Sequence, residues 1–111
     1  MDETKINGNI WIEISRLKLG RGRVNLLENI KKFGSITAAA KSIKIPYRQA
    51  WAMVKEMNNS AKTELVKMKI GGKHGGGAIL TEEGEKVLLT FYKTQKQFED
   101  FKEKTINSLN K

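Results

Sequence analysis

The sequence predicts a mainly α-helical domain with one small β-hairpin and a long final helix. Three observations carry that prediction. Apolar residues recur at helical spacing in three segments between residues 23 and 58. Two short apolar runs then flank a glycine-rich stretch at 71–77, the pattern of a hairpin. Finally, nothing breaks the helical pattern from Thr81 to about Ser108. A chain of 111 residues has room for one domain, taken here as 1–111, and 39% hydrophobic residues are enough for a modest core.

In chain order, Ile10, Ile12 and Ile14 alternate within residues 10–19, which predicts one strand with a buried face. Gly20-Arg21-Gly22 ends it. Val24, Leu27 and Ile30 then mark a helix over 23–33, with Leu26 and Phe33 beside them and Gly34 at the C-terminal glycine position. Ser35 is placed to cap a second, short helix whose face is Ile36, Ala39, Ala40 and Ile43. Its alanines let a neighbouring helix come close. Lys44-Ile45-Pro46 interrupts the pattern, and Pro46 suits the first turn of a third helix over 46–58, with Ala50, Met53, Val54 and Met57 inward. Leu65 to Ile70 and Ala78 to Leu80 are the two strands of the hairpin. Thr81 is an N-cap, followed by Glu82, Glu83 and Glu85, which favour the positive end of a helix dipole.

Charge is unevenly placed. The chain has 21 Lys and Arg against 12 Asp and Glu, net +9. Residues 1–15 are net −2 and residues 81–111 are neutral. Residues 16–48 carry nine bases against Glu28, and residues 49–80 add a further +3. Such a concentration fits a polyanion partner, or a lysine-rich solubilising surface.

Several classes of chemistry are disfavoured. With no cysteine there is no disulfide, thiolate nucleophile or zinc finger. The single histidine, His74, has no partner histidine, and no metal-ligand spacing occurs. The glycine stretch lacks the Gly-Lys-Ser/Thr of a P-loop. The expectation is no enzyme, no cofactor and no metal. No apolar run approaches the roughly 20 residues that span a bilayer, and Met1 to Lys5 precede no apolar signal core, so no membrane association and a cytoplasmic location are expected.

The second and third helices, joined by a tight turn, have the layout of a helix-turn-helix, and the hairpin that follows is the wing of a winged helix. The third helix of such a fold enters the major groove of duplex DNA. Helical projection puts Arg48, Ala52 and Lys55 on its outer face, with Tyr47 and Gln49 at the entering end. Arginine pairs with guanine edges and glutamine with adenine. Candidate DNA contacts are therefore Ser35, Thr37, Tyr47, Arg48, Gln49 and Lys55, with Lys73 and His74 at the wing, where glycines let backbone N–H groups approach phosphate. Trp51 could stack on sugar or base, but beside an apolar face it reads as core, against Met68 or the N-terminal strand.

The runs Gly34-Ser35-Ile36-Thr37-Ala38-Ala39-Ala40-Lys41, Ile45-Pro46-Tyr47-Arg48-Gln49-Ala50-Trp51 and Glu56-Met57-Asn58-Asn59 together resemble the DNA-binding domain of the ModE family of molybdate-responsive regulators. Leu65-Val66, the stretch Gly71 to Ala78 and Leu80-Thr81-Glu82-Glu83-Gly84 continue the likeness, which covers roughly residues 20–95. LysR-type regulators are more distantly similar. The resemblance implies a winged helix that dimerises partly through its last helix and binds a palindromic operator. One departure is the turn, where the family often has Gly-Ile-Ser-Tyr and this chain has Lys44-Ile45-Pro46-Tyr47. Another is the oxyanion-binding portion of full-length family members, which these 111 residues do not include. Molybdate sensing is therefore not carried over, and no small-molecule effector is expected within the chain.

The last helix carries a broad stripe of Val87, Leu88, Phe91, Phe98, Ile106 and Leu109, with Phe101 at its border. Gln95 and Lys102 interrupt it, so it is not a strict coiled-coil seam. Phe91, Phe98, Phe101 and Ile106 are the expected homodimer interface, because a bare aromatic stripe favours aggregation. The alternatives to a sequence-specific regulator are a non-specific architectural DNA-binding protein and a winged helix used as a protein-interaction module.

Overall fold

The computed structural model describes residues 3–69 and 77–110. Its elements are β1 (Ile12–Ile14), β2 (Leu17–Leu19), α1 (Arg21–Phe33), α2 (Ile36–Ser42), α3 (Tyr47–Ser60), β3 (Val66–Lys69), β4 (Gly77–Leu80) and α4 (Glu82–Leu109). The mainly helical class, the hairpin after the third helix and the long last helix are all present.

The first strand is a correction. Residues 10–19 form a hairpin, β1 pairing antiparallel with β2 in the register Ile12 to Leu19, and Ser15 turns the chain at φ 55°. Directly paired residues share a face, so Ile12 and Ile14 stand on the same side as Leu19 and Leu17; Leu17 and Leu19 are buried, Ile12 packs partly buried against the core, and Ile14 beside the turn is exposed. Alternation among the isoleucines marks the inward side, and what it misses is the reversal at Ser15-Arg16 with its second strand. Likewise, α1 begins at Arg21, so Gly22 lies inside the helix rather than breaking the chain before it.

Val24, Leu26, Leu27 and Ile30 of α1 lie at the centre of the core, with Leu65 and Val66 after α3 and Val87, Leu88 and Phe91 of α4. Gly34 ends α1 in the left-handed region at φ 68°, where glycine has no Cβ to clash. Its carbonyl then accepts the Ala78 N–H at 2.9 Å, which ties β4 to the end of α1. A Cβ on Gly77 would come within 2.7 Å of that same carbonyl, so the approach requires glycine.

The start of α4 is fixed twice over. The Thr81 hydroxyl accepts the Gly84 N–H at 3.0 Å and donates to the Glu64 carbonyl at 2.6 Å. The Thr81 N–H reaches the Leu65 carbonyl at 2.9 Å. Gly84 packs so tightly there that a methyl group would overlap the Leu65 carbonyl oxygen. Gly84→Ala is therefore expected to lower stability by about 1–3 kcal/mol through overpacking against backbone. A denaturant melt checks this; an unchanged midpoint would show that α4 can slide away from Leu65 freely.

Helix α4 runs unbroken for 28 residues, about 42 Å at 1.5 Å per residue. Its fully buried side chains end at Phe91, so the C-terminal half projects from the core. This half is not bare. Residues 6–10 lie along it: a Cβ on Gly8 would sit 3.3 Å from the Phe98 ring, and Ile6 lines a shallow cavity with Lys102 and Ile106. Lys102 also places its ammonium 5.0 Å from the Phe98 ring centre.

Candidate nucleic-acid interface

The turn between α2 and α3 is built by local hydrogen bonding. The Ser35 hydroxyl accepts the Ala38 N–H at 3.1 Å and caps α2. At the other end, Ile45 N–H reaches the Ala40 carbonyl at 3.0 Å and Lys44 N–H reaches the Lys41 carbonyl at 3.2 Å. These two bonds make a Schellman motif, in which the residue just past the helix takes a left-handed conformation. That residue is Lys44, at φ 59°, where glycine would be the less strained choice. Ile45 then turns inward against the core. Pro46 stands at the N-cap of α3, one position before the first turn, with extended backbone (φ −61°, ψ 143°) and no capping side chain.

Buried alanines hold the two helices together: Ala39 and Ala50 are fully buried and Ala40 nearly so. Small side chains at the crossing let α2 fix the orientation of α3. Ala50, Val54 and Met57 bury one face of α3, with Met53 partly buried. Tyr47, Arg48, Gln49, Ala52 and Lys55 are exposed. Among the described residues, Lys44, Arg48 and Lys55 enter none of the ion pairs, so their charge faces solvent. Exposed guanidinium and ammonium groups donate to base-edge and phosphate acceptors, and the carboxamide both donates to and accepts from a base edge. Ser35 and Thr37 lie at the start of α2, where the Ser35 oxygen is engaged as a cap. Lys73 and His74 lie outside the described residues.

Trp51 is not core. It is 40% exposed, and with Met68, 46% exposed, it lines a groove of about 400 Å³ between α3 and β3. Trp51 stands three residues before Val54, about 60° round the helix from it, which turns it away from the core to the edge of the groove. Phe91 needs the opposite correction. It is 1% exposed, packed in the chain's own core beneath the Arg21 guanidinium at 5.5 Å, so it has no surface to give a partner. Phe101 is 58% exposed and Phe98 and Ile106 are half-buried.

Two side chains matter more than sequence reasoning allowed. Asn58 is not merely a helix stop. Its carboxamide oxygen accepts the Leu65 N–H at 2.9 Å and the Val66 N–H at 3.1 Å, and its NH₂ donates to the Val66 carbonyl at 2.9 Å. One side chain thus locks the hairpin to α3. Its conjunction with a following strand was the available signal. Arg23, counted among the basic residues, is bound to Glu56 at 2.6 Å and to the Lys18 carbonyl at 2.8 Å; it joins α1, β2 and α3 rather than offering free charge.

Two groups on α4 have displaced titrations. Burial, reinforced by a hydrogen bond to Glu28, pushes the Tyr92 phenol up to about 12. A hydrogen bond to Asp100 raises Lys96 above its ordinary value. Among the described residues no group of three or more His, Asp or Glu converges to hold a metal, and no helix is long and apolar enough to cross a membrane.

No protein-family model matches the chain. It is 38% identical over 90 residues to the molybdenum-pterin-binding protein MopB of Rhodobacter capsulatus, covering 81% of this chain and 33% of that protein. It is 42% identical over 66 residues to the DNA-binding transcriptional dual regulator ModE of Escherichia coli, covering 60% of this chain and 25% of that protein. To the molybdenum transport protein ModE of Azotobacter vinelandii it is 34% identical over 88 residues, 79% of this chain and 33% of that protein. The chain therefore spans a quarter to a third of the length of these relatives, and its similarity is to one portion of each: it is a homologue of the ModE and Mop proteins over that portion.

Proposed function

We propose that this chain binds duplex DNA as a homodimer and acts in transcription regulation, with α3 in the major groove of a palindromic operator. The observation that carries this is the exposed set Arg48, Gln49 and Lys55 on a helix braced by a helix-turn-helix. The chain that holds it is similar over 66 residues to a DNA-binding transcriptional dual regulator. Arg48 and Gln49 read base edges, while Lys55, Thr37 and Tyr47 hold the backbone. No step of catalysis is assigned. Two-fold symmetry would set the paired α3 helices about 34 Å apart, one turn of DNA.

Binding to a mixed-sequence duplex is expected to weaken steeply as salt rises, with a log–log slope near −0.9 for each phosphate neutralised. A chain that ignores duplex DNA even in low salt would be a protein-interaction module instead.

The dimer is placed on the projecting half of α4, through Phe101 with Phe98 and Ile106. Phe98→Gln combined with Phe101→Gln is expected to sediment as a monomer. Because Phe98 also packs on residue 8, Phe101→Gln alone is the control, with weaker dimerisation and an unchanged fold. A double variant that remains dimeric would move the interface to the β1–β2 hairpin or α1.

A further inference from the structure

We propose that Trp51 and Met68 form an apolar seat for a single deoxyribose of the bound strand; this rests on the DNA-binding reading above. The groove between α3 and β3 is open, about 400 Å³, with Val54 and Val66 as its floor and Trp51 and Met68 as its exposed walls. Both walls leave large apolar surface in water, 40% of Trp51 and 46% of Met68. That surface is continuous with the outer face of α3. Arg48, Trp51 and Lys55 follow one another at i, i+3 and i+7, one ridge of the helix spanning roughly 10 Å.

The order along that ridge is guanidinium, aromatic ring, ammonium. Across one nucleotide the order is base edge, sugar, phosphate. N-terminal residues of a recognition helix reach base edges, and the helix leaves the groove past the backbone. Arg48 sits toward the N-terminal end, Lys55 toward the exit, and Trp51 between them, where the sugar passes. Past Lys55 the groove is lined by Asn58, Asn59 and the acid Glu64, and Asn58 is already committed to β3, so the phosphate is held at Lys55 and no further along the helix. Lys67 alternates with Val66 and Met68 along β3 and so faces away from the groove.

A sugar contact carries neither sequence information nor charge, and that sets its test. Trp51→Ala and Met68→Ala are assayed for binding to a mixed-sequence duplex and to an operator selected from a random pool, over a range of salt. The seat predicts weakening on the order of tenfold for Trp51→Ala, equal for both duplexes, with an unchanged salt slope; Met68→Ala weakens binding less. Lys55→Ala is the contrast, lowering the slope by about one phosphate. Because Trp51 is part-exposed, both variants should keep the wild-type melting temperature.

A second readout uses Trp11→Phe, which leaves Trp51 as the sole tryptophan. Saturating duplex is expected to quench its emission and shift it to shorter wavelength. Unchanged affinity in Trp51→Ala, or unchanged emission at saturation, overturns the seat while leaving DNA binding standing. A loss confined to one base identity overturns it in favour of a base contact. If the wild-type chain binds no duplex, the DNA-binding reading itself falls and the seat with it.

Discussion

Asn58→Ala is expected to cost about 3 kcal/mol and to lower the melting temperature by more than about 10 °C. Three hydrogen bonds converge on this carboxamide, all to the backbone of Leu65 and Val66. Those residues are 0% and 2% exposed, so water is poorly placed to replace the lost acceptor. Two backbone N–H groups would then lose a partner, and an unsatisfied buried donor costs about 1–3 kcal/mol. Asn59, next along the chain, is exposed and makes no such bonds; Asn59→Ala is the control, with a change within about 0.5 kcal/mol. Calorimetric melts of the two variants separate a latch from a generic effect of removing an amide near the end of α3. If Asn58→Ala melts with wild type, the hairpin is held by β4 and α4 alone, and the groove beside Trp51 loses its fixed wall.

The second large effect concerns recognition rather than stability. Arg48→Ala is expected to flatten base preference at one position of each half-site, by about 1–3 kcal/mol of discrimination. Much of the non-specific affinity should survive, because that affinity is carried by charge spread over the surface. Arg48 is exposed, enters none of the ion pairs among the described residues and stands in the first turn of α3, so its removal should not disturb the fold. A competition assay with duplexes altered base by base reads the change. An unaltered selectivity profile would remove Arg48 from the base-reading role and leave Gln49 as the remaining reader at that end of the helix.

Helices were legible where their periodicity was reinforced by punctuation. Gly34, Ser35 and Thr81 each stand at a helix end and each does there what its chemistry predicts. The turn before α3 was legible too, although Lys44 takes the left-handed position that glycine fills more cheaply. Periodicity failed where burial is decided by partners distant in sequence. Ile12 and Ile14 share the inward side with Leu19 and Leu17, but the two-residue reversal that brings in those deepest residues left no mark in the period. Trp51 and Phe91 show the same limit from opposite sides. Trp51 flanks an apolar stripe and Phe91 lies within one, and only the third dimension decides which faces solvent: β3 stands off from Trp51, whereas α4 lies against the core through Phe91.

At the interface, the exposed set on α3 follows from helical projection once the inner face is known. The devices that hold that set in place do not. Asn58 to the backbone of Leu65 and Val66, and Arg23 to Glu56, are contacts across sequence separations of 7, 8 and 33 residues. Local spacing carries no record of them. Charge counting overstated the free cations for the same reason, since Arg23 and Lys31 are paired with Glu56 and Glu85.

Whether α3 reads sequence in duplex DNA is decided by selecting bound duplexes from a random pool and competing the selected site against random DNA at physiological salt. The expected result is a two-fold symmetric site with half-sites one helical turn apart, bound at least about a thousandfold more tightly than random duplex. Equal affinity for selected and random DNA would contradict it and leave a charged surface that binds any duplex.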